Sequence, residues 1–114
     1  MFADDETHPI PSVERLDLVA QRRTGGARLV VIIASPLGAD ERSQRRLLMK
    51  LENYLGFIIS PEFAQEFGPP DPEKVEIVVR IDSRSDPAVL DLLRRCEPWT
   101  LEYKTTLLVE TVEH

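Results

Sequence analysis

The run Leu29-Val30-Val31-Ile32-Ile33-Ala34 is apolar at every position. A strand sends alternate side chains to opposite faces, so this run needs cover on both sides of a sheet. Little helix is on hand to provide it. One amphipathic stretch follows at 40–59 and a shorter one at 86–97, and a 114-residue chain has room for little more. Both helices are expected on one sheet face. The other face then presents Val19, Val30, Ile32, Val78 and Leu108 among Arg15, Asp17, Glu76 and Arg80. Such an apolar group calls for a covering partner, most simply a second copy of the chain. The competing cover is the N-terminal segment, through Phe2 and Ile10.

The remaining elements follow from periodicity and punctuation. Residues 13–21 read as a first strand, with Leu16, Leu18 and Ala20 on one side. Thr24-Gly25-Gly26 is a hairpin turn, because two glycines accept the positive φ that tight turns demand. Asp40 is placed to cap the first helix, whose stripe is Leu47, Leu51, Leu55 and Ile58. Ser60-Pro61 opens a short helical turn carrying Phe63 and Phe67 on one face, and Gly68-Pro69-Pro70 ends it. Residues 74–82 alternate as a strand. Ser85 or Asp86 starts a second helix with Val89, Leu92, Leu93 and Cys96 inward, which Pro98 is expected to end. Residues 101–112 read as a last long strand.

The order ββαβαβ predicts an α+β fold: a two-layer sandwich with an approximately four-stranded mixed sheet and two helices on one face. Residues 1–12, with acids, His8 and two prolines, read as a flexible tail. Residues 13–114 read as a single domain.

Leu16-Asp17-Leu18-Val19 at the opening of the hairpin, and Tyr54-Leu55-Gly56-Phe57-Ile58-Ile59-Ser60 closing a helix before a proline-broken strand, resemble a group of short bacterial proteins that form a domain-of-unknown-function family. The resemblance spans about residues 13–110. It rests on core positions and implies no activity.

Charge and residue types narrow the function. The net charge of -6 opposes nucleic acid as a partner. No apolar run reaches the roughly 20 residues of a membrane span. The acidic start is unlike a secretion signal, so a cytoplasmic location is expected. Arg42, Arg45, Arg46 and Lys50 fall at helical spacing and read as a solvated basic face. The one cysteine, Cys96, reads as a small buried hydrophobe. His8 and His114 lie near the ends, so histidine-based acid–base or nucleophilic catalysis has no support, and one cysteine with two terminal histidines cannot build a transition-metal site. No cofactor is expected.

One polar constellation stands out. If strands two and three run parallel, the loops carrying Ser35, Asp40, Asp82, Ser83, Arg84 and Asp86 meet at one end of the sheet and could hold a divalent ion or polar ligand. The bland alternative makes Asp40 and Asp86 helix caps and Asp82 a turn residue. Three functions are thus in play. The first is a non-catalytic homodimer or protein-interaction module, joined through the open face or the last strand. The second is an acidic immunity- or antitoxin-like inhibitor, using Glu62, Glu66, Asp71 and Glu73 beside Phe63 and Phe67 to bind a basic protein. A carboxylate-based enzyme comes last.

Overall fold

A computed structural model describes residues 4–113; Phe2 and His114 lie outside them. The fold is the expected two-layer α+β sandwich. Strands β1 (Leu18–Gln21), β2 (Ala27–Ile33), β3 (Val75–Asp82) and β4 (Thr106–Val112) lie side by side in that order. β1 and β2 are antiparallel; β2 with β3 and β3 with β4 are parallel. Helices α1 (Glu41–Ile58) and α2 (Pro61–Phe67) connect β2 to β3, and α3 (Pro87–Arg95) and α4 (Glu97–Glu102) connect β3 to β4.

Both crossovers step the same way across the sheet. Parallel crossovers are almost always right-handed, so two steps in one direction put both connecting layers on one face. The core bears this out. Leu29, Val31, Ile33, Ile77, Val79, Ile81 and Leu107 pack in one buried cluster with Leu47, Leu51, Tyr54 and Leu55 of α1 and Val89 and Leu93 of α3. The α1 stripe forms because those residues recur every three to four positions, and Asp40 starts the helix by accepting from the Ser43 N–H at 3.0 Å.

Three expectations need correcting. Residues 13–17 are not strand; β1 has only four residues, and the preceding segment runs as a strap along α1. Nor is the expected tail, residues 1–12, loose where it is described: Ile10, like Val13 just after it, is buried in the helix-side core, at 1% and 2% exposure. Ile10 therefore does not cover the open sheet face. Finally, Pro98 does not end the structure begun by α3. It sits in the first turn of α4, where its missing N–H is harmless, and β4 starts only at Thr106.

Candidate functional site

The sheet parity puts Leu18, Val30, Val78 and Leu108 in one row on the face away from the helices. Ile32 lies one pleat further along. Val19 was expected here and is not: it pairs with Leu29 and shares that residue's helix-side face, so Leu18 takes its place. Directly paired residues in a sheet share a face, and the hairpin register decides which of the two adjacent residues turns outward.

The row is not uniformly open. Val30 and Val78 are each 1% exposed, whereas Leu18, Ile32 and Leu108 are 46%, 44% and 41% exposed. Cross-strand ion pairs flank the row on both sides. Arg28 meets Glu76 at 2.5 Å on one side, and Arg80 meets Glu110 at 3.2 Å on the other. The face is thus a short apolar stripe with a charged rim.

The parallel pairing of β2 and β3 does bring the polar loops to one end of the sheet. Leu37 N–H donates to Ser85 Oγ at 2.9 Å, and Asp86 N–H donates to the Leu37 carbonyl at 2.9 Å. Each carboxylate there already has a structural partner. Asp40 caps α1, and the Ser43 contacts hold its carboxyl below the usual range. Asp86 caps α3 by accepting from Ala88 N–H at 2.9 Å. Asp82 is fully buried and accepts from the Arg84 backbone N–H, Nε and Nη2 at 2.8, 3.0 and 2.8 Å. That bidentate pair raises the Arg84 pKa. Ser35 is exposed on the β2–α1 loop. Among the described residues no group of three or more His, Cys, Asp and Glu is placed to hold a metal ion. The strand order 1-2-3-4 also lacks the reversal at which open α/β sheets form a ligand crevice.

The acidic patch loses one of its two aromatic residues, while Phe67 stays partly exposed. Phe63 is fully buried, edge-on to Phe57 at 5.5 Å and 4.9 Å from Phe67. Cys96 is buried, as its spacing implied, and burial pushes the thiol pKa up.

The basic residues of α1 are where the structure departs most from expectation. Arg42 and Arg45 are exposed ion-pair partners of Asp5 and Glu41, but Arg46 and Lys50 are 2% exposed. Arg46 donates to the Ile10 and Pro11 carbonyls through Nε and Nη2. Lys50 Nζ donates to the Ser12 and Arg15 carbonyls and to Asp17 Oδ1, all within 2.9 Å. Asn53 Nδ2 donates to the Val13 carbonyl. Tyr54 OH donates to the Val30 carbonyl and accepts from Asp17 N–H, both at 2.8 Å, while Asp17 Oδ2 accepts from Ile32 N–H. One helix face thus supplies the hydrogen bonds that a sheet neighbour would have given this stretch. Asp17 of the strap in turn closes the Ile32 N–H, in the part of β2 that the short β1 leaves unpaired.

His8 completes the clamp. Its Nδ1 accepts from Ile10 N–H at 2.9 Å, so the proton sits on Nε2, which lies 3.0 Å from Ser43 Oγ. Burial, then the nearby Arg46 and Arg42 charges, push its pKa below the ordinary 6.5, against a smaller opposing effect of Asp40. The unfolded chain therefore takes up this proton more readily than the folded one. Stability is expected to fall as pH drops through about 6.5 and to level off once the folded His8 is also protonated. Chemical unfolding followed between neutral and mildly acidic pH should show this fall. A His8→Asn variant should reduce it, and an unchanged slope in that variant would mean other groups dominate.

No family model, curated protein or solved structure matches this chain. What the chain does must be read from its own surfaces. No helix among the described residues is long and apolar enough to cross a membrane.

Proposed function

We propose that this protein is a non-catalytic interaction module that forms a reversible homodimer through its open sheet face. The supporting observation is a parallel three-stranded sheet with one face left without a second layer. Parallel sheets occur almost only with both faces covered.

The layout of the face suits a second copy. Consider a two-fold axis lying in the interface along the strand direction, between β2 and β3. It sets β1 over β4 and β2 over β3 of the other copy. From the strand register, Leu18 then faces Leu108, Val30 faces Val78, and Arg28 faces Glu76. Ile32 lies against the stem of Arg80. Apolar meets apolar and cation meets anion, in the aligned packing usual for stacked sheets.

Magnitude decides what kind of dimer this is. Fully burying a Leu or Ile is worth roughly 1.5–3 kcal/mol. Val30 and Val78 are already closed off, so only the exposed halves of Leu18, Ile32 and Leu108 remain to be covered. That is about 1 kcal/mol each. Against the loss of free motion on association, so small a gain supports a weak interface that dissociates on dilution.

Light scattering coupled to size-exclusion chromatography across a wide concentration range tests this. The mass should rise from monomer towards dimer with concentration, and a monomer at every concentration overturns the proposal. Leu18→Glu should weaken association by about tenfold or more, since it buries an unpaired charge. Leu18 lies on β1, at the opposite edge from β4. A dimer unaffected by Leu18→Glu would therefore overturn the open-face contact and leave the β4 edge as the alternative to test.

A further inference from the structure

We infer that the cleft at the N-terminal ends of β2, β3 and β4 is a binding site for a small organic carboxylate. It is an open cleft of about 430 Å³, within the size range of small-molecule sites, and lies at the opposite end of the strands from the Asp82 loops. Its lining includes Lys74, Lys104, Phe67, Asp71 and the proline-rich stretch 69–72.

Three observations converge on it. The chain has only three lysines. Lys50 is consumed by the strap, and the other two both line this cleft. Both are exposed, and neither side-chain amine has a hydrogen-bond or ion-pair partner among the described residues, so both are free to meet a ligand. Next, every described residue with positive φ lines the same cleft: Gly25, Gly26, Gly68 and Lys104. The glycines do this freely, but Lys104 does not. It occupies the left-handed position just past α4 at φ 57°. There the Lys104 and Thr105 N–H groups close the helix on the Leu101 and Thr100 carbonyls. Glycine is the residue that suits this position. A lysine held there breaks a local rule, and such breaks concentrate where a side chain is needed for another purpose.

The charges define the ligand. Among the lining residues two ammonium groups stand against the one Asp71 carboxylate, with Glu66 and Glu73 next to the lining in sequence, so a monoanion is matched better than a multiply charged one. The Phe67 ring and the prolines supply an apolar wall. A carboxylate carrying an apolar or aromatic body fits both features.

Phenylacetate is the probe, followed by amide chemical shifts on the full chain, with acetate as the comparison. Saturable shifts at Gly25, Gly26, Lys74 and Lys104, tighter for phenylacetate than for acetate, are expected. Lys74→Ala should weaken binding by about tenfold. Lys104→Gly is the decisive variant. It should raise the melting temperature by about 4 °C by relieving the backbone and at the same time weaken phenylacetate binding by about tenfold. Absence of saturation into the high millimolar range, shifts mapping outside the cleft, or undiminished binding by Lys104→Gly would each overturn the inference.

Discussion

Replacing Lys50 with methionine is expected to lower folding stability by about 3 kcal/mol, a large share of the roughly 5–15 kcal/mol that holds a domain of this size together. Methionine fills nearly the same space, so little of that loss is cavity. It comes from what the ammonium leaves behind. Lys50 is 2% exposed and bonds to two carbonyls and one carboxylate of the strap, with its amine 5.9 Å from the Tyr54 ring centre. Without it the Asp17 side chain, only 20% exposed, loses its cation, and the Ser12 and Arg15 carbonyls lose their donor. Denaturant unfolding at neutral pH should show a lower midpoint with the same slope. Adding Asp17→Asn to Lys50→Met should cost less than the sum of the two single changes, because the charge stranded by the first is removed by the second. Arg45→Ala is the contrast: an exposed partner of Glu41 on the same helix should change stability by no more than about 0.5 kcal/mol.

That contrast marks where the sequence was and was not legible. Spacing alone placed Arg42, Arg45, Arg46 and Lys50 on one side of a helix, but said nothing about what lay beside them. Burial of a cation depends on a chain segment remote in sequence that offers it carbonyls, here residues 10–15, and polar residues around Pro9 and Pro11 look like a tail in isolation. A usable sign was the adjacency of Arg46, Lys50 and Asn53 to the core stripe of Leu47, Leu51 and Tyr54. Cations that close to a buried stripe have half their surroundings fixed.

The parity of β2, β3 and β4 was legible because their apolar residues alternate or fill both faces. β1 was not, since Leu16, Leu18 and Val19 offer apolar residues of either parity and only the hairpin register chooses between them. The polar loops did converge as parallel pairing requires, yet caps and a buried ion pair account for Asp40, Asp82 and Asp86. Their residue types are the same for a cap as for a ligand, and only hydrogen-bond geometry separates the two.

Gly26→Ala is expected to be at least as damaging as Lys50→Met, at about 3–4 kcal/mol, for two separable reasons. The φ of +82° strains any residue with a Cβ, by about 1–2 kcal/mol. The second reason is contact. A Cβ on Gly26 would lie 2.2 Å from the Lys74 carbonyl oxygen, a backbone atom that cannot swing aside as a side-chain tip could. That same oxygen accepts from Ala27 N–H at 3.1 Å, and this bond joins the starts of β2 and β3. Relieving the clash means prising those strand ends apart where the parallel ladder begins, with Ala27 and Val75 fully buried beside it. Gly25→Ala separates the two contributions. Gly25 has a comparable φ of +93°, but a Cβ there meets nothing within 4 Å. It should therefore show the backbone strain alone, about 1–2 kcal/mol. The difference between the two unfolding midpoints measures the close approach of β2 to the Lys74 backbone, and equal losses would show that approach to be unimportant.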